Sequence, residues 1–394
     1  MSTTILTPDF NNSELAFQAK SHAELKRTYR LMKLVDSPFL TKIGPPMLTL
    51  AFQLGLPIKG LVRKTLFDQF CAGESLEETA ATTASLAKFG VQTILDYSVE
   101  GEKTEEGFDA TLEEFIATLE HGSRHEAVAF TALKLTGLAS VELMESIQQG
   151  DSLNAEERVA FDRFKARLTA LAQAAHSYQT PFFIDAEESW IQDVIDARAE
   201  ELMQTYNQEK ALIYTTVQLY RHDRLAYLER LIADSQEQGY ILGVKLVRGA
   251  YMEKERDRAE ELYYQSPIQP SKEATDRDYD LSLELCLEHI DHVAICAGTH
   301  NEASTLKLTQ MMAQRGLPAN HPHVLFAQLQ GMSDNISFNL AHAGFQTAKY
   351  LPYGPIRAVI PYLIRRAQEN TAIAGQSSRE VELLKAEIRR RSRR

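Results

Sequence analysis

The hydrophobic and polar positions of this chain change their pattern near residue 90. Residues 1–88 carry helical periodicity without strand-like runs, and helices are predicted over residues 24–35 and 60–69. Beyond residue 90, short apolar runs rich in β-branched and aromatic residues predict strands over residues 91–98, 127–137, 180–186, 212–219, 241–248, 292–299, 323–329 and 345–351. Amphipathic segments between these runs predict helices, among them residues 156–176, 221–238, 279–290 and 302–315.

This alternation predicts an α/β fold in which eight parallel strands and their helices close into a (β/α)8 TIM-type barrel, with an additional N-terminal helical region. A doubly wound open sheet is the structural alternative. That fold more often has a glycine-rich turn after its first strand, and none follows the first predicted strand here. We therefore predict an N-terminal helical region over residues 1–88, a barrel over residues 89–376 and a basic C-terminal helix or tail over residues 377–394.

Composition narrows the class of protein. A chain of 394 residues that is 44% hydrophobic can bury a large core. The net charge of −12 argues against a nucleic-acid partner. The three cysteines (Cys71, Cys286 and Cys296) are too few for a disulfide framework, so we expect buried packing residues in a reducing compartment. No signal peptide is recognisable, and the longest uncharged stretch, residues 43–58, is too short and too interrupted to span a bilayer.

Polar side chains gather where the predicted strands end, which is where a barrel of this type carries its chemistry. The residues concerned are Lys134, Asp185 and Glu187, Gln218, Lys245 and Arg248, Thr299 and His300, and Lys349 and Tyr350. A lysine inside an apolar strand is costly unless it is paired, and Asp185 on the next strand is a candidate partner for Lys134. Repetition along six strands indicates a functional site.

A segment near residue 365 adds a candidate anion clamp. On a helix, Tyr362, Arg365, Arg366 and Glu369 fall at positions i, i+3, i+4 and i+7, where a core-facing helix would normally carry apolar residues. Two guanidinium groups can each donate a pair of hydrogen bonds to a carboxylate, and Glu369 lies within helical reach of both. Taken alone, this pattern also fits a surface helix with ordinary ion pairs.

Together, these motifs resemble the proline dehydrogenase family. The resemblance covers roughly residues 91–376 and is carried by Ile184-Asp185-Ala-Glu-Glu188, Lys245-Leu-Val-Arg248-Gly249-Ala250-Tyr251, Thr299-His300-Asn301, Gln328-Leu329-Gln-Gly331-Met332, Tyr350-Leu-Pro-Tyr353-Gly354 and Tyr362-Leu-Ile-Arg365-Arg366-Ala-Gln-Glu369-Asn370. It implies a distorted barrel with FAD lying across the C-terminal ends of the strands. Several separate motifs in the right order and spacing make the resemblance specific.

Site residues follow from the resemblance position by position. Arg365 and Arg366 would bind the proline carboxylate, and Glu369 would brace them. The ring would be walled by Ala250, Tyr251, Leu329, Tyr350 and Tyr362, and Lys134 and Asp185 would form a buried pair beside the substrate and the flavin. The FAD-binding set would comprise Asp185, Gln218, Lys245, Val247, Arg248, Gly249, Ala250, Thr299, His300, Asn301, Gln328 and Glu369. The family has Arg or Lys at the position of Lys245, and either residue would supply positive charge near the flavin.

One further residue is implied less directly. Glu102 matches an acid that resembles a lid partner for the clamp arginines, although Ser98 replaces an aspartate that is common in that motif. No metal site is predicted. The pair His321 and His323 lies in the loop that enters the seventh strand, at the end of the barrel opposite the chemistry.

The resemblance implies a flavoprotein oxidoreductase that oxidises L-proline to Δ1-pyrroline-5-carboxylate, the first step of proline catabolism to glutamate, and passes electrons to a quinone-type acceptor. Hydroxyproline oxidation on the same scaffold is the enzymatic alternative, and the bulky Tyr350 favours plain proline. A barrel that binds without catalysis is the non-enzymatic alternative. We expect a cytoplasmic protein. The segment 389–394, rich in arginine, is expected to be a solvated tail, or else to assist peripheral association with the inner face of an acidic membrane. The oligomeric state stays open.

Overall fold

The computed structural model describes residues 7–35, 54, 58–99, 102–372 and 376–393 of the chain. Its N-terminal part is helical: α1 is Ser13–Ala16, α2 is His22–Val35, α3 is Lys59–Val62, α4 is Asp68–Phe70 and α5 is Leu76–Ala87. Both predicted N-terminal helices are confirmed. The second differs in detail, since a π-helical turn at Arg63–Phe67 separates α3 from α4. Turns of this kind interrupt the regular hydrogen-bond ladder and often occur near functional segments.

Eight parallel strands lie among the described residues, and they follow one another in sequence order around a closed barrel. Their bounds are β1 Gln92–Tyr97, β2 Val128–Lys134, β3 Phe182–Asp185, β4 Ile213–Gln218, β5 Leu242–Val247, β6 Val293–Gly298, β7 Val324–Leu329 and β8 Thr347–Tyr353. All eight predicted strands are confirmed, with small differences at their ends. The near-continuous burial of these strands explains why they read as apolar runs and not as alternating patterns.

Helices follow the strands as predicted. Their bounds are α6 Glu105–Ser123, α7 Val141–Gln149, α8 Ala155–Tyr178, α9 Ser189–Tyr206, α10 Arg224–Gln238, α11 Met252–Glu261, α12 Lys272–Glu288, α13 Glu302–Gln314, α14 Asp334–His342, α15 Ile360–Ala372 and α16 Gln376–Arg391. Local signals fix several ends: Asn154 and Glu157 form a reciprocal capping box at the start of α8. Gly239 ends α10 in the left-handed conformation that suits glycine.

An aromatic layer fills one level of the barrel interior. The rings of Phe130 on β2 and Phe183 on β3 stack with centroids 4.4 Å apart, and Tyr214 on β4 meets both edge to face. Contact between β2 and β4, which are not neighbours, takes place across the concave inside of the barrel. Gly243 on β5 leaves room for this layer, because a Cβ there would lie 2.7 Å from the Tyr214 ring. The three rings thus fill the interior beside β2, β3 and β4.

Residues 101–327 form one compact unit, and residues 2–100 with 328–394 form a second. The second unit has its own apolar core, to which both ends of the chain contribute: Ala16, Phe17, Leu25, Met32, Val62, Phe67, Phe70, Cys71, Met332, Ile356, Val359, Tyr362, Leu363, Leu383 and Leu384. Helices α2 and α16 pack within this unit. The division at residues 88 and 376 made from the sequence stays a prediction about domain organisation.

The basic C-terminal residues correct one expectation. Arg390 and Arg391 do not form a solvated tail, since both lie in α16 and bind the buried carboxylate of Glu387 at 2.7–2.8 Å. Arg391 also donates to the carbonyl oxygens of Phe17 and Lys20, which follow α1. The expectation failed because a run of arginines reveals charge but not the distant backbone that it binds. These two cations hold the chain ends together.

None of the helices in the described parts of the chain has the length and apolar character needed to span a bilayer. The uncharged stretch at residues 43–58 lies outside the described residues apart from Leu54 and Ile58. The three cysteines are free and buried, in line with the packing role expected of them. Burial raises the pKa of the Cys296 thiol to about 12, so this sulfur stays protonated and unreactive near neutral pH.

Candidate active site

The first unit places three predicted residues at one register level, nearer the strand ends than the aromatic layer, and a fourth, Gln218, two residues further along its strand. Lys134 and Asp185 occupy the same register on β2 and β3. Lys245 on β5 reaches across β4 and donates a hydrogen bond to Asp185, and its ammonium lies 5.0 Å above the Phe183 ring. Gln218 lies on β4, two residues beyond Thr216, the register partner of Lys245. We call Lys134, Asp185, Gln218 and Lys245 the polar layer.

The sequence anticipated the members of this layer but not all of its contacts. Asp185 was expected to pair with Lys134, its neighbour in register, and the described contact of its carboxylate is with Lys245. Both side chains are nearly inaccessible, with Lys245 8% exposed and Asp185 15% exposed. Removing either partner of such a buried pair would leave an uncompensated charge in the interior. The pairing of Lys134 with Asp185 stays a prediction.

Gln218 carries the clearest sign of an absent ligand. Its side chain is 3% exposed, and its Oε1 atom has no hydrogen-bond partner among the described residues. A buried amide oxygen without a donor costs free energy that natural proteins rarely leave uncompensated. A ligand that offers an N–H or O–H group at the end of β4 would satisfy it. A flavin carries such donors on its ring and ribityl chain, so the residue fits the FAD-binding role predicted for it.

A second group of predicted residues is held by hydrogen bonds at the ends of β5 and β6. Arg248 donates to the Thr299 hydroxyl at 2.7 Å and forms an ion pair with Asp276, also at 2.7 Å. Asn301 caps α13 by accepting from the backbone N–H groups of residues 303 and 304. Asn301 is thus occupied as a helix cap, whereas Arg248 is a fixed cation. Asp276 was not identified from the sequence, because it lies in a helix far from any motif.

The turn after β5 depends on one glycine. Gly249 has φ of +138°, a conformation that side chains other than glycine rarely adopt, and a Cβ there would lie 2.4 Å from the Tyr220 ring. Val247, on β5, ends that strand, and Gly249 and Ala250 are exposed after it. The predicted FAD contacts at these backbone positions therefore need glycine at 249. His300 follows β6 directly, and Tyr251 is half-buried at the start of α11.

Glu187 is a buried acid for which sequence reasoning assigned no role. It is 3% exposed and accepts hydrogen bonds from both the N–H and the hydroxyl of Thr136, two residues beyond Lys134. Burial raises the pKa of Glu187 to about 7, against the opposing effects of Thr136 and of the Lys134 charge. Glu187 thus joins the ends of β2 and β3 beside the polar layer. Its position two residues beyond Asp185 was the signal that could have singled it out.

The second unit contains the predicted clamp. Tyr362 and Arg366 lie on α15, 4% and 7% exposed, and the Arg366 guanidinium sits 5.1 Å from the centre of the Tyr362 ring. Arg365 is half-buried on the same helix. The burial of Arg366 argues against a fully exposed surface helix, and the role of the two arginines as a clamp stays a prediction. The side chain of Glu369 lies outside the described residues, so its bracing role stays a prediction.

The second unit also contains three other predicted residues, two at the end of β7 and one on β8. Tyr350 on β8 is 8% exposed, and its carbonyl accepts from the N–H of Gln330, one residue beyond Leu329. Gln328 is 2% exposed, and its Oε1 accepts from the Ser337 hydroxyl. The structure thus brings Leu329 and Tyr350 together on adjoining segments. How the clamp and these residues relate to the polar layer stays a prediction.

Glu102 and the histidine pair have local partners. Hydrogen bonds from the N–H groups of Lys103 and Thr104 lower the pKa of Glu102. Its lid role toward the clamp arginines stays a prediction. The Nδ1 atom of His321 accepts from the N–H of His323, whose own Nδ1 faces the carbonyl of Ile290 at 2.7 Å. No group of three metal-ligating side chains occurs among the described residues.

Comparison with known families identifies the chain. The family profile described as Proline dehydrogenase matches residues 79–379. The chain belongs to the proline dehydrogenase family. It is 31% identical to "Proline dehydrogenase 1, mitochondrial" of Dictyostelium discoideum, covering 97% of this chain and 75% of that protein. It is 32% identical to "Hydroxyproline dehydrogenase" of Rattus norvegicus, covering 95% of this chain and 93% of that protein.

A solved structure supports the fold. Proline utilization A from Bdellovibrio bacteriovorus superimposes with a TM-score of 0.71 at 19% identity, covering 92% of this chain. The chain spans only 38% of that longer protein. At this identity the likeness concerns the architecture alone, and it agrees with the closed barrel described above.

Proposed function

We propose that this chain is an FAD-dependent proline dehydrogenase, which oxidises L-proline to Δ1-pyrroline-5-carboxylate. Membership of the proline dehydrogenase family over residues 79–379 carries the proposal. The polar layer adds physical support, because the buried Lys245 and the half-buried Lys134 stand at the strand ends where catalysis takes place in barrels of this type. The orphaned Oε1 atom of Gln218 supports a bound organic cofactor at the same strand ends.

The reaction sets requirements that the predicted residues can meet. Proline must lose a proton from its ring nitrogen and a hydride from the adjacent ring carbon, so that a C=N bond forms. FAD, when bound, would accept the hydride and its two electrons. Arg365 and Arg366 would hold the carboxylate by paired hydrogen bonds and so fix the position of the reacting carbon. Tyr350, Tyr362 and Leu329 would exclude water from the ring.

The charges of the first unit suit the cofactor. Gln218, Lys245 and Arg248 would hold FAD, together with backbone groups of residues 247–250 and with Thr299 and His300. Positive charge from Lys245 and Lys134 would favour the anionic form of the reduced flavin ring, since fixed cations in a dry site stabilise developing negative charge. Asp185 balances Lys245 and keeps it oriented.

The reduced flavin would pass its electrons to a quinone-type acceptor. We expect the enzyme to be cytoplasmic. Peripheral membrane association through the basic C-terminal residues has less support than the sequence suggested. Arg390 and Arg391 are engaged by Glu387 and by backbone carbonyls, so they offer less free charge to an acidic surface.

Hydroxyproline is the second candidate substrate. The rat hydroxyproline dehydrogenase matches this chain over almost its whole length, whereas the Dictyostelium proline dehydrogenase is matched over 75% of its length. The buried Tyr350 favours plain proline if it walls the ring, because a ring hydroxyl would need both space and a polar partner.

The test is an absorbance spectrum of the purified protein followed by anaerobic addition of each substrate. Bands typical of oxidised flavin that bleach with L-proline but not with hydroxyproline would support the proposal. Bleaching only with hydroxyproline would show that hydroxyproline is the substrate and would contradict the argument from Tyr350. Absence of flavin binding after FAD addition would leave the fold intact and remove the proposed chemistry.

A further inference from the structure

A buried cluster of charges in the second unit lies outside the predicted site. Lys349 on β8 is completely buried, and its ammonium contacts the Asp334 carboxylate at 2.9 Å. Lys20, in the turn between α1 and α2, contacts the other oxygen of Asp334. Glu380 on α16 is 8% exposed and faces the backbone N–H of Ser333. Burying charged groups such as Lys349 and Asp334 is expensive, so their presence requires an explanation.

The cluster surrounds the segment at residues 329–334, which joins β7 to α14 and which we call the wall loop because it begins with Leu329. Lys349 donates to the carbonyl oxygens of Leu329, at the start of the loop, and Met332, within it. Lys349 and Tyr350 are consecutive in a strand, so their side chains leave opposite faces. The cluster therefore supports Leu329 and Tyr350 from behind.

The N-terminal helices reach the same loop at a second point. The side-chain amide of Gln69 on α4 donates to the carbonyl of Gly331 at 2.8 Å. Gly331 has φ of +77°, and a Cβ there would lie 2.2 Å from the carbonyl oxygen of Gln69. Ser333 also has a positive φ, of 51°, which is uncommon for a residue with a side chain. A loop with two such residues within three positions is held in shape by its surroundings.

The electrostatics show which group organises the cluster. Burial alone would raise the pKa of Asp334, but Lys20 and Lys349 outweigh it and hold that pKa well below its usual range. Burial lowers the pKa of Lys349, and Asp334 opposes this shift. Burial also raises the pKa of Glu380 to about 7. Asp334 is therefore the permanent anion between two cations, one from the barrel and one from the N-terminal helices.

We propose that Asp334 is a positioning residue that holds the wall loop between Lys349 and Lys20, and that the N-terminal helices thereby control how tightly the enzyme binds proline. This inference rests on the proposed function for its consequence, since Leu329 and Tyr350 are assigned to the proline wall there. The fastening itself rests only on contacts within the second unit. It gives the N-terminal helical region a role in substrate affinity.

The test replaces Lys20 by Met, which removes the N-terminal contact and leaves Asp334 paired with Lys349. Lys26→Met, on an exposed position of α2, is the matched control. We expect the proline KM of Lys20→Met to rise roughly 3- to 10-fold with kcat within about twofold, because loosening a wall weakens binding more than chemistry. Lys20→Arg, which keeps the cation, should restore the KM. Flavin content should match the wild type in all three variants.

Hydrogen–deuterium exchange over residues 329–334 gives a readout that does not depend on activity. Faster exchange in Lys20→Met than in Lys26→Met would support the fastening, whereas equal exchange and an unchanged KM would overturn it. A lowered melting temperature with an unchanged KM would also overturn it, since the contact would then serve stability alone. Wild-type flavin that proline does not reduce would count against the proposed function, and the exchange comparison would still decide whether Lys20 fastens the loop.

Discussion

The two units each bury a cluster of charged side chains, and the clusters differ in how completely they are satisfied. In the polar layer, Asp185 is 15% exposed and the Oε1 atom of Gln218 has no partner among the described residues. In the cluster around Asp334, both carboxylate oxygens bind an ammonium group, and Lys349 also donates to two carbonyls. Unused hydrogen-bonding capacity indicates a place for a ligand, whereas a closed set of partners indicates support for the surrounding backbone.

Removing Lys349 should produce the largest loss of stability. Lys349→Met leaves the Asp334 carboxylate in a dry interior with only Lys20, and breaking such a pair costs about 3–5 kcal/mol of unfolding free energy. Lys245→Met should cost less, because Asp185 retains some access to water. Urea denaturation of both variants measures the difference. Equal losses of unfolding free energy in the two variants would contradict the proposed difference between the polar layer and the cluster around Asp334.

Removing an arginine of the clamp should affect binding and not stability. Arg366→Met should raise the proline KM by about 100-fold, since a charge-assisted bidentate contact to the carboxylate is lost. Arg357→Met, at an exposed position before the same helix, is the control. Steady-state kinetics together with the flavin absorbance test this. Loss of flavin from the Arg366 variant would contradict the assignment of this residue to the substrate.

The orphaned acceptor of the polar layer predicts a smaller effect on the cofactor. Gln218→Leu should weaken FAD binding by about tenfold, the value of one lost hydrogen bond in a buried site. Gln208→Leu, on an exposed residue of the loop before β4, should leave the affinity unchanged. Titration of the apoprotein with FAD, followed by flavin fluorescence, gives both values. An unchanged affinity for FAD in Gln218→Leu would mean that the Oε1 atom of Gln218 does not bind the cofactor.

The smallest expected effect is on the pH dependence of stability. Glu187 and Glu380 both have a pKa raised to about 7 in the folded protein, above the value of 4.5 for a free carboxyl. The folded state then binds protons more tightly, so this stabilisation is present below pH 4.5 and is lost as the pH rises through 7. Glu380→Gln, which mimics the protonated form, should flatten the fall in melting temperature between pH 5 and 8. An unchanged slope would exclude Glu380 as its source.

The barrel could be predicted from the sequence because each strand is a short run of β-branched and aromatic residues. Such runs can be recognised without knowing any distant contact. It also located most of the candidate site residues, since a barrel collects its chemistry at the strand ends. Contacts across the barrel interior could not be predicted from the sequence. Lys245 reaches Asp185 over an intervening strand, whereas the order of the strands had suggested Lys134 as the partner of Asp185. The π-helical turn at Arg63–Phe67 likewise has no local signature.

Long-range contacts account for the remaining differences. Lys349 was placed among the polar residues at strand ends, but nothing in its surroundings indicated that it faces away from Tyr350 toward Asp334 and Lys20. The arginine run at residues 389–394 resembles a tail because its partners lie some 370 positions earlier. Asp276 and Glu187 bind neighbours that only the folded chain brings near. The role of each of these residues follows from the residue that it contacts in the folded protein and not from its position in a sequence motif.

The hydrogen bond between Ser13 and Glu387 joins residues 374 positions apart, and this has a consequence for biosynthesis. At roughly 5–20 residues per second, the ribosome needs about 20–75 s to travel between them. During that interval α1 and α2 lack the surface of α16 on which they pack. Helices α1 and α2 are therefore among the last elements to reach their final place although they are translated long before α16, and until then their apolar faces are available to chaperones.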